Sequence, residues 1–559
     1  MFVNFRLYAM DGVVLFTLAM LFLTVVLLRL LRGQRGSHAA LLFGIVAVGA
    51  GFRFWLSKNA PMESWPYSRQ IPLTELIWNG PVITYVKQRM FLTDMFYWTN
   101  TVISILTPIA VYVHTRYLMK TPALSLIAAG IVAVYPNHIR FSRSEINFVM
   151  LVALSSFCFT VVHVAVSETS RTLRWVAMAA LPFVAIGTFA VRPLACVLAP
   201  MLMATAWFFS EGAPKARRIV AIVAVVFAGA WDVKYHLLAQ WGNQVEDGLK
   251  LQTVIDGVLS IFSNKNTLFQ FSITPIGFLI LSILGFMAFI RKGDWIRAFF
   301  LLGWLFAFYV TLGFVIAPTL PMQSRYHLHL MEPFVQLTAV GAYALWEWRR
   351  KLGWAVGAYA VAVPVIHMKH ITDTDFSQMH EYAFLEHMRT KVPEGCTILE
   401  FTDPEGVQSV AFDPASRVER FADFRENGEK KQLWKIVRTG GREDTPSKVK
   451  PEANELLKSP PACLMLYEGM ACWTEKPFSS PIAPACAELK ERLLLTAVDS
   501  VTVKNRVYND AWSRGIINDD TKLSLDGNYR PMSMAEMTFT MFRVDGVKPS
   551  TNAVKAGEP

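Results

Sequence analysis

The chain has 559 residues, 53% of them hydrophobic, with 16 Trp, 39 Phe and a formal net charge of +11. An ordinary soluble protein of this length is excluded, because so apolar a composition needs a membrane to take up the excess. The charge argues against a nucleic-acid partner, since the basic residues sit in short segments between apolar runs and form no basic face or tail.

Twelve apolar stretches run from residue 12 to about 368, and roughly 190 mostly polar residues follow. A hydrocarbon core about 30 Å thick requires about 20 apolar residues per helix, with every backbone amide paired internally. The runs 12–31, 39–56 and 299–317 meet that requirement. The runs 122–135 and 354–368 are shorter and are expected to begin or end among the headgroups. The pattern predicts an all-α polytopic membrane domain of about 12 transmembrane helices over 1–368, then a small extracytoplasmic α/β domain over 369–559. No short-period repeat suggests a solenoid.

Arg29, Arg32 and Arg35, then Arg116 and Lys120, Arg171 and Arg174, Lys215, Arg217 and Arg218, Arg291, Lys292 and Arg297, and Arg349, Arg350 and Lys351 fall in every second loop. Under the positive-inside rule those loops are cytoplasmic. Both chain ends, the loop 57–96, the turn 136–145, the loop 234–274 and the tail then face outward, as in a bacterial inner membrane or its equivalent. The first apolar run is long, lacks a small-residue cleavage pattern and is followed by arginines, so it reads as a retained span. The loop 57–96 sets Trp65, Tyr67, Trp78 and Tyr85 among Pro61, Pro66, Pro72 and Pro81, a composition suited to the membrane interface. The loop 234–274 has a helical pattern at Leu249, Val254, Val258, Leu259 and Phe262 and is expected to lie flat on the bilayer.

In the tail, the pattern predicts a helix over 378–390, strands over 396–401 and 462–467, a helix over 485–495 and strands over 498–507 and 537–544. The charged stretch 423–451 reads as a loop. Cys158 and Cys196 lie within spans, as small apolar residues. Cys396, Cys463, Cys472 and Cys486 lie in the tail, which the topology puts in an oxidising compartment where disulfides persist. Three pairings are open, and Cys463 with Cys472 or Cys486 would close short loops. A zinc site is the competing reading, without CxxC spacing to support it.

Four places carry the polar groups of the outward face. The second span ends Phe52-Arg53-Phe54-Trp55, followed by Pro61-Met62-Glu63-Ser64. The turn after the fourth reads Tyr135-Pro136-Asn137-His138-Ile139-Arg140-Phe141-Ser142-Arg143-Ser144-Glu145. Val191-Arg192-Pro193 breaks a long apolar region. Gln323-Ser324-Arg325-Tyr326-His327-Leu328-His329 precedes Glu332-Pro333 and the eleventh span. Charged groups at membrane helix ends are costly and usually serve function, although an outer-face arginine taken singly is more often a snorkelling headgroup contact.

In this order and sidedness, the four places resemble the GT-C superfamily of glycosyltransferases, the polyprenyl-phosphate-sugar enzymes that include protein O-mannosyltransferases and lipid A aminoarabinose transferases. The resemblance covers about 41–348. The family's acidic pair is Met62-Glu63 here, so its first carboxylate is missing, and Glu75 or Asp94 in the same loop stands as a substitute. The span 12–31 is an addition before the family's usual first one. The resemblance implies an inverting transferase that moves a sugar from a polyprenyl-phosphate donor to a glycan, lipid or protein acceptor at the outer membrane surface.

Guanidinium groups bind phosphate in bidentate fashion and keep their charge, so Arg53, Arg140, Arg143, Arg192 and Arg325, with Tyr326, are the candidates for holding the donor phosphate. Glu63, with Asp94 as the alternative, would take the acceptor proton. Glu145 is a further candidate, although a carboxylate there also suits a helix N-terminus. His327 and His329 read first as interface histidines and, with Glu332, in the alternative as ligands of a divalent cation. The competing function is a membrane transporter or lipid-linked glycan flippase, which would place ionisable groups at mid-bilayer on paired broken helices. A ligase using a pyrophosphate-linked glycan is a third reading, without the large late outer loop it would need.

Overall fold

The computed structural model describes residues 9–32, 34–57, 95–143, 148–191, 195, 197–210, 212–233, 274–315, 327–372, 383–385, 387–401, 423–426, 429–439, 448–469, 472, 483–506 and 534–549. The helices of the apolar part are α1 (Ala9–Leu31), α2 (Gly36–Leu56), α3 (Met95–Met119), α4 (Pro122–Val134), α5 (Pro136–Arg140), α6 (Phe148–Ser167), α7 (Arg171–Val191), α8 (Leu198–Phe208), α9 (Lys215–Asp232), α10 (Ile276–Arg291), α11 (Trp295–Val315), α12 (His327–Trp348), α13 (Arg350–Ile366) and α14 (Met368–Thr372). A single 3₁₀ turn, Phe141–Arg143, continues α5.

This is a membrane protein, but the expected twelve spans are only partly recovered. Among the described residues four helices are long and apolar enough to cross a bilayer, within α2, α3, α6 and α7, and the pair α4–α5, bent by 52°, makes a fifth. Others are too short alone: α8 has 11 residues, which at 1.5 Å per residue falls well short of the hydrocarbon thickness. The expected interfacial segments 57–96 and 234–274 lie almost wholly outside the described residues.

Burial is graded from the centre of the bundle outward. The spanning part of α6 is wholly buried, that of α2 only 22%. α12 is buried from His327 through Ala342. The surrounding helices turn large apolar side chains outward: Phe183 is 74% exposed, Trp354 70% and Trp55 67%. Such a surface suits a lipid environment, where apolar exposure carries no penalty.

Close helix approach replaces the hydrophobic drive that lipid removes. A Cβ on Gly285 of α10 would stand 1.9 Å from the Leu337 carbonyl oxygen, and one on Gly341 of α12 would stand 1.9 Å from that of Leu281. The two helices therefore touch backbone to backbone. At the end bearing the basic loops, side chains cap helix termini. Arg29 and Tyr117 reach Glu168 at 3.0 and 3.2 Å, Arg297 donates to the Leu118 carbonyl at 2.9 Å, and Arg218 donates to those of Trp207 and Ser210 at 3.0 and 2.7 Å.

The tail holds β1 (Thr397–Glu400), β2 (Asp423–Glu426), β3 (Glu429–Gln432), β4 (Lys435–Arg438), α15 (Pro451–Lys458), β5 (Leu464–Glu468), α16 (Ala483–Arg492), β6 (Leu493–Arg506) and β7 (Met534–Val547). Five strands form a mixed sheet in the order β4-β1-β5-β7-β6, with β4, β1 and β5 parallel and β7 antiparallel to both β5 and β6. Strands β1, β5, β6 and β7 and helix α16 match expectation. The expected helix 378–390 lies partly outside the described residues; its buried Phe384 stacks on Tyr467 and Phe539 at 6.3 and 6.4 Å. The stretch 423–451, expected as a loop, instead forms the β2–β3 hairpin, β4 and the start of α15. Its charges hide an anchor, since Leu433 and Trp434 are buried just before β4.

The disulfides are Cys396–Cys463 and Cys472–Cys486, with Cα separations of 4.8 and 5.5 Å. Of the three pairings the sequence left open, this one has Cys463 close a loop of 67 residues' separation. The reason is register: Cys396 and Cys463 each precede a strand of the adjacent parallel pair β1 and β5, where the Thr397 amide donates to the Cys463 carbonyl at 3.0 Å.

Two outcomes follow. Non-reducing peptide mapping recovers Cys396 linked to Cys463 and Cys472 linked to Cys486, and both links vanish on reduction. Gly341→Val lowers stability by about 1–3 kcal/mol, as overpacked cores do, read as a drop in the thermal midpoint of the detergent-solubilised protein.

Candidate active site

Pro136 is the physical origin of the site. It carries no N–H, so it cannot continue the α4 ladder to the Val132 carbonyl, and the chain bends between α4 and α5. Val132 and Ala133 are buried in the bundle, where no water satisfies the carbonyls thus released. Arg53, from the last turn of α2, supplies the missing donors. Its Nη1 donates to the Ala133 and Gly49 carbonyls at 2.8 Å each, and its Nη2 to that of Val132 at 3.4 Å. The remaining two N–H groups go from Nε to Ser104 Oγ at 2.6 Å and from Nη2 to His138 Nδ1 at 2.6 Å. All five guanidinium N–H groups are thereby engaged inside the protein.

The neighbours in sequence are arranged to permit this. Phe54 and Trp55 are exposed, so the last turn of α2 presents the arginine inward and its aromatics outward. Gly49 lies one turn earlier, where an added Cβ would come within 3.0 Å of Ala133 Cβ and 3.1 Å of the guanidinium. Glycine there leaves room for the close approach of α2 and α4, which an added Cβ would crowd.

The turn after the break rests on the same framework. His138 is fully buried and accepts at Nδ1, which puts its proton on Nε2. Ser142 donates to the Ile139 carbonyl at 2.7 Å and meets Ser57 Oγ at 3.0 Å, and Thr101 donates to the Ser142 carbonyl at 3.3 Å. Ile139, Leu56 and Ile371 form a small apolar cluster that joins the turn, α2 and α14. Arg140 is buried with its guanidinium 5.6 Å from the Phe141 ring centre, and Arg143 reaches the Ser57 carbonyl at 3.5 Å. Arg143 thus lies where α2 ends.

The start of α12 docks onto the break. His327 Nε2 is hydrogen-bonded to the Tyr135 hydroxyl, and the two rings stack with centres 5.6 Å apart, closed in by Phe278 and Phe334. Three of the four polar places read from sequence therefore meet: the end of the second span, the Tyr135–Arg143 turn and the His327 segment. Glu63, Asp94, Glu145, Arg192, Arg325 and Tyr326 lie outside the described residues.

The divalent-cation reading of His327, His329 and Glu332 needs correction. Residues two apart on a helix point about 200° apart. His329 accordingly stacks on Phe308 of α11 at 5.1 Å while His327 faces Tyr135, and Glu332 is hydrogen-bonded to His114 of α3. Among the described residues no group of three or more His, Cys, Asp or Glu side chains is placed to hold a metal ion. Sequence reasoning also passed over His138, Ser104 and Tyr135 as partners. The signal for a cap was present in Pro136, which leaves carbonyls behind it wherever a proline breaks a span.

No protein-family model matches the chain, and no curated protein matches it in sequence. Among solved structures, it is similar to the Archaeoglobus fulgidus oligosaccharyltransferase tethered with an acceptor peptide, at 10% identity and a TM-score of 0.47, over 78% of this chain and 70% of that one. The same oligosaccharyltransferase in complex with zinc and sulfate matches at 11% identity and TM-score 0.43, over 77% of this chain and 64% of that one. The archaeal oligosaccharyltransferase AglB from that organism, in complex with an inhibitory peptide and a dolichol-phosphate, matches at 12% identity and TM-score 0.36, over 65% and 58%. At those scores no residue role follows from the likeness.

The geometry predicts a specific energetic coupling. Arg53→Ala removes the side-chain donors from the buried Ala133 carbonyl and His138 Nδ1 and lowers stability by about 3 kcal/mol. Pro136→Ala restores an N–H for the released ladder, so the double variant is less destabilised than the sum of the two singles. Thermal unfolding of the four proteins in one detergent measures the cycle, and simple additivity contradicts the cap.

Proposed function

We infer that the protein is an inverting glycosyltransferase that moves a sugar from a polyprenyl-phosphate donor to a glycan, lipid or protein acceptor on the outer face of the membrane. The observation that carries this reading is the meeting of the α2 end, the Tyr135–Arg143 turn and the α12 start at one level of the bundle. Arg140 and Arg143 belong to that turn, and Arg325 and Tyr326 directly precede His327 in the chain. Such a cluster suits a lipid phosphate, whose negative charge grows as the sugar departs and which guanidinium groups stabilise.

Roles divide among the arginines. Arg53 is a positioning residue, because its N–H groups are taken up by the helix break. Arg140, Arg143, Arg192 and Arg325 hold the donor phosphate with Tyr326, and the His138 Nε2–H is a further donor beside them. Glu63, or Asp94 in its place, removes the proton from the acceptor hydroxyl or amine, and Glu145 is a further candidate at the same face. In-line attack then inverts the anomeric carbon, the C–O bond to phosphate breaks, and the lipid phosphate leaves with the electron pair. Residues 1–368 form the transferase unit and 369–559 an extracytoplasmic domain at the acceptor side. Both chain ends lie outside the cytoplasm, in a bacterial inner membrane or its equivalent. A divalent cation belongs to this scheme only as an addition held by residues outside those described.

The test is release of lipid phosphate by the purified protein in vesicles supplied with a series of polyprenyl-phosphate-linked sugars and an acceptor-containing membrane extract. Arg325→Ala and Glu63→Gln are expected to lower the rate about 10²–10³-fold with the thermal midpoint unchanged. Arg53→Ala loses rate and stability together. Donor flipping across the vesicle without release of lipid phosphate would favour the flippase reading instead.

A further inference from the structure

We propose that the corner joining α12 to α13 binds one anionic phospholipid of the surrounding bilayer, with Arg291, Arg349, Arg350 and Lys351 at its headgroup and the outer face of α13 along an acyl chain. This corner lies at the end of α12 away from His327, and the proposal does not depend on sugar transfer.

Elsewhere at this end of the bundle, cations are engaged within the protein. Arg29 pairs with Glu168, Arg116 and Arg174 donate to the carbonyls of Lys120 and Glu168, and Arg218 donates to those of Trp207 and Ser210. The corner is different. The turn between α10 and α11 lies beside it, because Lys292 reaches Glu347 at 2.9 Å. Across the two turns, residues 291–297 and 345–351, the carboxylates are Asp294 and Glu347, and each already has a partner in Arg297 and Lys292. Arg291, Arg350 and Lys351 are exposed and enter no ion pair among the described residues, and Arg349 stands over the Trp348 ring at 5.4 Å. Four cations therefore gather where the protein supplies no further anion, and a counter-anion there relieves their mutual repulsion.

The corner is fixed by its own packing. Arg349 alone joins the two helices, in an extended conformation with φ −148° and ψ 116°. Its amide donates to the Leu345 carbonyl at 2.8 Å, and its carbonyl accepts from the Leu352 and Gly353 amides at 2.9 and 3.3 Å. Gly353 passes so close to Trp346 that an added Cβ would stand 2.3 Å from the indole, and Trp346 meets Trp354 edge-on at 5.4 Å. Cations carried on so short a connection are preorganised, which lowers the cost of ordering them on a ligand.

Charge complementarity selects an anion, and the flanking surface selects one that carries acyl chains. Guanidinium groups match phosphate oxygens in bidentate fashion. Trp348 is 69% exposed beside them, an indole suited to headgroup depth. Trp354, Val361 and Val365 are also exposed, and residues seven and eleven apart on a helix return to within about 20° of one direction. An apolar lane thus runs down α13 from the cations. A soluble phosphate or an acidic protein matches the cations but not the lane, whereas a phospholipid matches both.

The full chain in a nonionic detergent, titrated with phosphatidylglycerol or with phosphatidylcholine of the same acyl chains, tests this by native mass spectrometry and thermal midpoint. The wild type is expected to retain one phosphatidylglycerol saturably, with a raised midpoint, and to ignore phosphatidylcholine. Arg349→Gln, Arg350→Gln and Lys351→Gln together weaken that affinity about 100-fold, and Lys351→Gln alone about 5-fold. Lys351→Arg keeps it, which guards against a variant that merely folds poorly. Arg32→Gln, Arg35→Gln and Lys215→Gln together remove the same charge from other exposed positions at this end and leave the affinity unchanged. Equal loss in that control, equal binding of phosphatidylcholine, or displacement of the lipid by an equal concentration of inorganic phosphate overturns the proposal. So does a dimer in the lipid-free wild type that the corner substitutions abolish, which would assign the surface to a second copy of the chain.

Discussion

One guanidinium group holds together the end of this bundle that carries the helix break. A proline break inside a packed bundle releases buried carbonyls that no water reaches, and leaving them unpaired is costly. Arg53 meets that demand from another helix, joining α2 to α4 through Ala133 and Val132, to α3 through Ser104 and to the turn beyond the break through His138. With the bend secured, residues 135–143 turn through the bundle and do not continue a straight span. Tyr135 then faces α12, and Arg143 comes to the end of α2. The position of each polar group near the break follows from this contact.

A second constraint acts where apolar packing drives nothing. Lipid is as apolar as the core, so α12 is held by shape and by hydrogen bonds. Gly285 and Gly341 set it against α10, His327 fastens its beginning to Tyr135, and Glu332 ties it to α3 and α6. These contacts lie at successive depths along one helix.

The sequence made the class of architecture legible, because hydropathy and the alternation of basic loops record the cost of charge in lipid directly. It also marked segments that meet in the fold, since Arg53, the Tyr135–Arg143 turn and His327 come together. What it concealed was the partner of each group. An arginine at a span end reads as ready for a ligand, and only the carbonyls behind Pro136 show where its N–H groups go. His327 and His329 look paired when written in a line and diverge once wound on a helix. In the tail, the charged run 423–451 masked β4 because its anchors, Leu433 and Trp434, are just two residues, and the pairing of Cys396 with Cys463 depended on two strands becoming neighbours across a separation of 67 residues.

The use of Arg53 also bears on how a charged lipid would be recognised. A ligand-binding arginine must keep N–H groups available and tolerate the departure of its partner, whereas an arginine that caps a broken helix must never let go. Placing both duties on one side chain would couple substrate release to loss of the bend. The chain has further arginines near the break, at 140 and 143, carried on a turn that is itself pinned by Ser142, His138 and Ile139. In the proposed transfer, separating the two duties would let the framework stay fixed while contacts to a departing phosphate formed and broke, which is the condition for electrostatic stabilisation without reorganisation.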